Sequence, residues 1–387
     1  MKLCVTSASG IEAVTKRELY KLLGENDLAA LNGRIKFDGD WETVSRCNLN
    51  LRTGNRVEII LGEFKAETFD DLFDGIKNIP FEEYIDRDGK IIVGAKSVQS
   101  KLFAYSAIQS ISKKAICERL CNKFGVNELS ENGARYKIEV AVLKDYVTVT
   151  LDTSGDGLHR RGYRGLVGEA PLKETLAAAL VELSVWNKSR PLADIFCGTG
   201  TIPIEACMIA LNIPAGINRS FDFVDWKVFD KNIFGRVKEE CAAGILRDED
   251  VRISGFDIDE KQLALARKHA KLAGVDKYIH FQRADMRDFS SRFSHGVIIS
   301  NPPYGERLSD RKEVEKLYRD YGKTVAKLDE WCAYTLTPVD DFERLFGKKA
   351  DKKRKIYNGK IECCYYAHLA SPPVRRGKSM SAENEKQ

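Results

Sequence analysis

Five short apolar runs, at residues 192–196, 253–257, 279–282, 297–300 and 332–336, alternate with helix-length amphipathic segments through the second half of the chain. That alternation admits few folds. Strands separated by helical crossovers pair in parallel, and right-handed crossovers lay the helices on both faces of one sheet. A largely parallel α/β sheet is therefore expected, entered through an amphipathic helix over residues 172–186.

The first third reads differently. Strands are expected at 3–6, 35–37, 57–61, 91–95, 136–140 and 146–151, with helices over 11–23 and near 107–124. The last two strands alternate with period two, as a hairpin turned at Lys144-Asp145. This is an α+β region without a glycine-rich phosphate loop, and its parts suggest small antiparallel sheets with helices against them. Glycine and arginine crowd residues 153–165, which mark the clearest domain junction. The polar tail, 371–387, has nothing to bury and is expected to be disordered.

The segment Asp194-Ile195-Phe196-Cys197-Gly198-Thr199-Gly200 turns from a strand into a helix over 202–210. Glycines there permit positive φ and close approach of a ligand to the backbone. A dinucleotide fits poorly, because Pro203 occupies the third glycine's place. The next strand-end acid, Asp257, also lies far beyond the usual ~20-residue spacing. Asp259 can cap the next helix, with Gln262 completing a capping box, which leaves Asp257 to accept from a ribose diol. After the third strand, Asp285 can accept from an adenine amino group while Met286 packs on the ring. Any one such acid alone reads as a helix cap or a solvated charge. Three at successive strand ends lie where open parallel sheets bind ligands. The cofactor inferred is S-adenosyl-L-methionine, leaving as S-adenosyl-L-homocysteine. Asp194, Phe196, Gly198, Gly200, Thr201, Asp257, Ile258, Asp285, Met286 and Asn301 are its candidate contacts.

The fourth strand of the series exits into Asn301-Pro302-Pro303-Tyr304. An exocyclic amine is a poor nucleophile because its lone pair is delocalised. Two acceptors on its N–H groups pull the nitrogen toward tetrahedral geometry, and the Asn301 side-chain oxygen and the Pro302 carbonyl can supply them. Pro302 and Pro303 stiffen the corner, and Tyr304 offers a face for a flat target. Asn-Pro by itself is an ordinary turn; the four residues behind that glycine turn point to methyl transfer onto an amino nitrogen, mostly by positioning. A base inside a duplex cannot reach such a pocket, so the target is flipped out or unpaired.

From about residue 152 to 368 the chain resembles the bacterial THUMP-domain class I RNA methyltransferases (RlmL/YpsC-like) that modify guanine N2 of 23S rRNA. The resemblance rests on residues 158–164 (LHRRGYR), 170–176 (APLKETL), the turn from 194 to 206, 301–308 (NPPYGERL) and 355–359 (KIYNG). The upstream region is similar to that family's ferredoxin-like segment and THUMP domain, with weaker motifs. The resemblance implies a Rossmann-like class I methyltransferase domain with a seven-stranded sheet, preceded by an α+β ferredoxin-like/THUMP region. The divisions expected are 1–60, 61–152, a linker over 153–170, 171–370 and the tail. Some family members carry a second methyltransferase domain; this chain ends before one, so that activity is expected to be absent.

With 62 Lys and Arg against 57 Asp and Glu the chain is mildly basic, which neither demands nor excludes nucleic acid. Two clusters could hold RNA phosphates: Arg160, Arg161 and Arg164 in the junction, and Lys352, Lys353 and Arg354 in a run that begins at Lys348. Lys113 and Lys114 are weaker candidates, and Arg307 could read the base edge. Ten cysteines, five histidines and no paired C-x-x-C spacing give no zinc set. With no apolar leader and no run of ~20 apolar residues, reduced thiols and a cytoplasmic, non-membrane protein are expected. The partner expected is 23S rRNA or an early large-subunit particle, with a monomer plausible. Two other readings stand: DNA adenine N6 or a protein glutamine amide as acceptor, and an RNA-binding assembly factor that keeps the fold without turnover.

Overall fold

The protein is described from a computed structural model over residues 1–24, 27–31, 33–164, 172–247, 249–305, 311–328 and 330–370. The expected tail, the Ala170-Pro171 pair and Arg307 lie outside the described residues.

The N-terminal elements are β1 (Lys2–Ser7), α1 (Glu12–Leu23), β2 (Ala29–Leu31), β3 (Arg34–Asp38), α2 (Trp41–Asn50), β4 (Gly54–Lys65), α3 (Phe69–Lys77), β5 (Lys90–Val98), α4 (Tyr105–Phe124), β6 (Arg135–Leu143) and β7 (Tyr146–Asp152). The small sheets expected from sequence are one seven-stranded sheet, ordered β2-β3-β1-β4-β7-β6-β5. The reason is the length of β4. Its twelve residues pair with β1 over 54–59 and with β7 over 58–65, across a register shift between Ile60 and Gly62. The expected division after residue 60 therefore falls inside a continuous strand. β5 and β6 pair in parallel because α4 crosses over between them. The β6–β7 hairpin turns at Lys144 and Asp145, at φ 51 and 62, the twist that two-residue hairpin turns require. Asp40 with Thr43, and Thr68 with Asp71, close capping boxes that start α2 and α3.

The second half comprises α5 (Glu174–Leu183), β8 (Leu192–Asp194), α6 (Thr201–Ala210), α7 (Lys231–Ala243), β9 (Ile253–Asp257), α8 (Glu260–Leu272), β10 (Ile279–Arg283), β11 (Val297–Ser300), α9 (Arg311–Ala326), β12 (Cys332–Thr337), α10 (Phe342–Phe346), β13 (Lys352–Asn358) and β14 (Ile361–His368). Its seven strands are ordered β10-β9-β8-β11-β12-β14-β13. β8 to β12 are parallel, and β14 runs antiparallel to both of its neighbours. The chain builds outward from β8 to β10 and then returns to place β11 against β8. That reversal opens a crevice at the carboxyl ends of β8 and β11, where open α/β sheets bind ligands.

The two halves share a core. Phe221, Phe223, Trp226 and Phe229, between α6 and α7, are buried in the apolar cluster of the N-terminal sheet. Trp226 stacks on Tyr136 at 5.0 Å, and Phe229 meets Trp41 at 5.3 Å. Each such pair adds about 0.5–1.5 kcal/mol beyond area burial. The junction is packed as well: Thr153 and Ser154 are fully buried, and Arg219 donates to the carbonyls of Ser154 and Gly157. Among the described residues no helix is long and apolar enough to cross a membrane, no cluster could hold a metal, and the ten cysteines are free.

Candidate active site

The cofactor turn follows β8. The Cys197 amide donates to the Phe256 carbonyl at 2.9 Å, and the Gly200 amide returns to the Cys197 carbonyl at 2.8 Å. Gly198 and Gly200 have φ of +50 and +81, where a side chain would be strained. They differ in surroundings. A Cβ on Gly200 would lie 3.0 Å from Ala266 and Phe281, whereas one on Gly198 would meet nothing within 4 Å. The turn is therefore packed on its inner side and open at Gly198.

Asp257, at the end of β9, holds that turn. One carboxylate oxygen accepts the Gly198 amide at 2.8 Å and the other accepts the Asp259 amide at 2.9 Å. Asp257 is thus not the idle acceptor expected from sequence, although each oxygen keeps a second lone pair for a ligand hydroxyl. Asp259 caps α8 through the Lys261 amide at 2.8 Å, without the expected box from Gln262. Ile258, between them, is 63% exposed, a large apolar side chain beside a polar turn.

Asp194 lies behind the turn. It is 2% exposed, and one of its oxygens accepts from the Ser300 hydroxyl at 2.8 Å and the Phe196 amide at 3.1 Å. Burial pushes its carboxyl up to about 7. Phe196 packs edge-on to Tyr321 at 5.4 Å, and Thr201 begins α6. Asp285 accepts the Arg287 amide at 2.9 Å and pairs with its guanidinium at 2.8 Å. Met286 corrects the sequence reading. Its side chain is 4% exposed, in the apolar cluster with Phe289 and Tyr321, and its sulfur receives the Thr324 hydroxyl of α9 at 3.9 Å. The side chain therefore faces the apolar cluster, away from the packing expected for it, while Ile258 is the exposed apolar side chain beside the turn.

At the exit of β11 the Asn301 side-chain oxygen is buried with no hydrogen-bond partner among the described residues. Buried acceptors are nearly always paired, so the Asn301 oxygen is an exception at this corner, as Ser112 Oγ and His368 Nδ1 are elsewhere among the described residues. Pro302 is buried and Pro303 exposed. The Pro303 carbonyl accepts from the Tyr318 hydroxyl at 3.2 Å, which also bonds Thr337 at 2.9 Å. Tyr304 lines a cleft of about 570 Å³ with apolar Val314, Pro338, Val339 and Leu345 and charged Arg311, Glu315, Asp340 and Asp341. That is roomy enough for a flat heterocycle.

The basic residues separate. Arg160 is exposed, against Asp156 at 3.3 Å. Lys352, Lys353 and Arg354 project from β13 at the sheet edge, with Lys353 on Glu343 at 2.7 Å and Arg354 on the Gly10 carbonyl at 3.2 Å. Lys113 pairs with Glu131 and Lys114 with Glu118. Arg161 corrects the phosphate reading. Its side chain is 1% exposed and paired with Glu205 of α6 at 3.3 Å, and it donates to the Leu51 and Arg52 carbonyls. Arg164, with 15% of its side chain exposed, lies against Glu174 of α5 and donates to the Thr199 and Thr201 hydroxyls. Neither is a free surface cation. The sequence does carry a signal for this: Glu205 interrupts an otherwise apolar stretch of α6, and pairing with a cation is one way to keep a buried carboxylate. Ser300 was also missed, and nothing in its local sequence distinguishes it from a strand-end serine.

Set against known proteins, residues 161–367 match the RMKL-like methyltransferase domain family, residues 2–58 the RlmL ferredoxin-like domain and residues 66–152 the THUMP domain. YpsC of Bacillus subtilis (strain 168) is 42% identical over 382 residues, covering 98% of this chain and 99% of that protein. Ribosomal RNA large subunit methyltransferase K/L of Syntrophotalea carbinolica is 31% identical over 378 residues, 94% of this chain; the chain spans 53% of that protein's length. The crystal structure of SMU.472 complexed with SAH matches at a TM-score of 0.90 and 43% identity, over 96% of this chain and 98% of that one. The open glycine turn, the Asp257 carboxylate and the exposed Ile258 suit the same cofactor here. The chain belongs to the THUMP-containing, RlmL-like family of S-adenosylmethionine-dependent RNA methyltransferases.

Proposed function

We propose that the protein methylates an exocyclic amino nitrogen of RNA in the cytoplasm, and that the acceptor is guanine N2 of 23S rRNA. The observation that carries the amino acceptor is the orphaned, buried Asn301 oxygen at the exit of β11, one strand from the cofactor turn. Asn301 and the Pro302 carbonyl accept the two amino hydrogens, and Tyr304 stacks against the base. When bound, the cofactor supplies an electrophilic methyl on sulfonium. The amino lone pair forms the N–C bond as the methyl–sulfur bond breaks. Sulfur keeps that electron pair, and the surplus proton passes to solvent. No strong base is required, because the nitrogen acidifies as the bond forms; catalysis is chiefly orientation. Asp257 would hold the ribose diol and Ile258 the adenine face.

An RNA of the large ribosomal subunit is favoured by the match to large-subunit rRNA methyltransferases K/L and by the THUMP domain upstream of the site; guanine N2 is the acceptor that the family resemblance implies. The exposed cations of β13 and Arg160 would steady the RNA backbone.

The test is transfer of labelled methyl to unmodified large-subunit rRNA, with small-subunit rRNA, tRNA and DNA in parallel, followed by nucleoside mass spectrometry. N2-methylguanosine in the large-subunit RNA alone is the expected product. N6-methyladenosine in any substrate would keep the Asn301 chemistry and overturn the guanine assignment. Cofactor binding without transfer to free RNA or to assembling particles would favour an assembly factor.

A further inference from the structure

α6 carries two polar side chains in its first five residues, Thr201 and Glu205, in an otherwise apolar sequence. They are four positions apart and so lie on one face, one turn above the other. Residues of the junction hold both. Glu205 accepts from the Tyr163 hydroxyl at 3.0 Å and pairs with Arg161. Thr201 receives a terminal nitrogen of Arg164, and the same nitrogen donates to the Thr199 hydroxyl at 3.1 Å. The other terminal nitrogen of Arg164 donates to Glu174 and the Leu172 carbonyl, both at 3.2 Å. Thr199 is held from its far side too, its carbonyl 3.2 Å from the His269 ring.

Thr199 and Thr201 flank Gly200. Glycine gives a turn its shape and also its freedom to leave that shape. A planar guanidinium bonded to both neighbours removes that freedom, which a flexible lysine could not do as well. Its positive charge also lies at the start of α6, where the helix dipole already favours an anion.

We propose that Arg164 is a positioning residue of the cofactor site: it clamps the Thr199 and Thr201 hydroxyls across Gly200 and so keeps the turn in the shape that receives the carboxylate-bearing end of the cofactor. Arg161, three residues earlier, ties the same helix to the N-terminal carbonyls of Leu51 and Arg52. The junction thereby splints the cofactor helix to the loop between α2 and β4. This inference concerns the cofactor alone and stands whether or not guanine N2 is the acceptor.

The experiment is calorimetric binding of S-adenosylhomocysteine to the full chain, wild type against Arg164→Ala and Arg164→Lys. Binding of unmodified large-subunit rRNA is measured over a salt series on the same samples. Loss of a charged clamp predicts a Kd for S-adenosylhomocysteine raised about tenfold or more in Arg164→Ala. Partial recovery is expected in Arg164→Lys, with RNA affinity and its salt slope unchanged. If Arg164→Ala fails to fold, Thr199→Val removes one clamped hydroxyl and keeps the arginine; a raised Kd is again expected. A Kd within about twofold of wild type in the folded variants overturns the proposal, whether or not the melting temperature falls. A salt slope reduced by about 0.7–0.9, with the Kd for S-adenosylhomocysteine unchanged, would return Arg164 to the phosphates.

Discussion

Ser300 donates its hydroxyl to the Asp194 carboxylate at 2.8 Å and accepts the Ile195 amide at 3.2 Å. Strand pairing between β8 and β11 ends at Ala193 and Ile298, so this side chain bridges the strands where their backbones part. The residue before Asn301 is thereby bonded to the residue that opens the cofactor turn. Removing it in Ser300→Ala leaves a buried carboxylate and an amide short of partners, and should cost about 1–3 kcal/mol. Denaturant unfolding measures that loss.

Burial raises the Asp194 carboxyl from 3.8 to about 7. A group raised on folding binds its proton more tightly in the folded state. Its contribution therefore favours the fold at low pH, declines as pH rises from about 4 to about 7, and is level above. Asp194→Asn keeps an oxygen to accept from Ser300 and Phe196 but cannot ionise. Its stability relative to wild type should improve between pH 5 and pH 7 and then hold steady, as read from melting temperatures. A constant difference across that range would show that Asp194 titrates normally.

Gly198→Ala and Gly200→Ala should separate folding from binding. Both incur roughly 1–2 kcal/mol of left-handed strain. At Gly200 the contacts with Ala266 and Phe281 add about 1–3 kcal/mol more. Gly198 is open, so its variant should remain folded while its methyl intrudes on the cofactor. Calorimetry with S-adenosylhomocysteine should show the larger affinity loss, relative to lost stability, in Gly198→Ala.

Asp257→Ala should raise the Kd for S-adenosylhomocysteine by about tenfold or more, since it removes both a charged acceptor and the anchor of the Gly198 amide. Asn301→Ala should leave that binding near normal and lower kcat by roughly 10²–10³-fold, the usual effect of losing one preorganised polar group. Full turnover in Asn301→Ala would refute the acceptor role.

The junction and β13 should respond oppositely to loss of charge. Arg161→Ala breaks a buried pair and should destabilise the protein by about 3–5 kcal/mol. The triple alanine variant at Lys352, Lys353 and Arg354 should fold normally and bind rRNA more weakly. Its log–log salt slope should shrink by up to about 0.7–0.9 for each phosphate that the variant no longer neutralises. An unchanged slope would remove β13 from the RNA surface.

The sequence by itself determined the features that depend on neighbours in the chain. Strand–helix periodicity marked β8 to β12. The glycines at 198 and 200 marked a turn with positive φ, and the run of prolines after Asn301 marked a rigid corner. Each expresses a local backbone preference, so each was legible without a fold. Only the tertiary structure decided what those residues touch. Arg161, Arg164 and Lys352 look alike as cations in a row of letters. Arg161 finds Glu205 forty-four positions away and is buried, Arg164 grips the cofactor turn, and Lys352 stays on an edge strand. Met286 turned toward α9 rather than the crevice because the apolar space under Thr324 accepted it. β4 joined the small sheets expected from sequence into one because each of its edges found a strand to pair with. A charge or an apolar side chain carries no record of its partner; burial is settled by packing between segments far apart in the chain, where an unpaired charge costs several kcal/mol and a paired one can be kept.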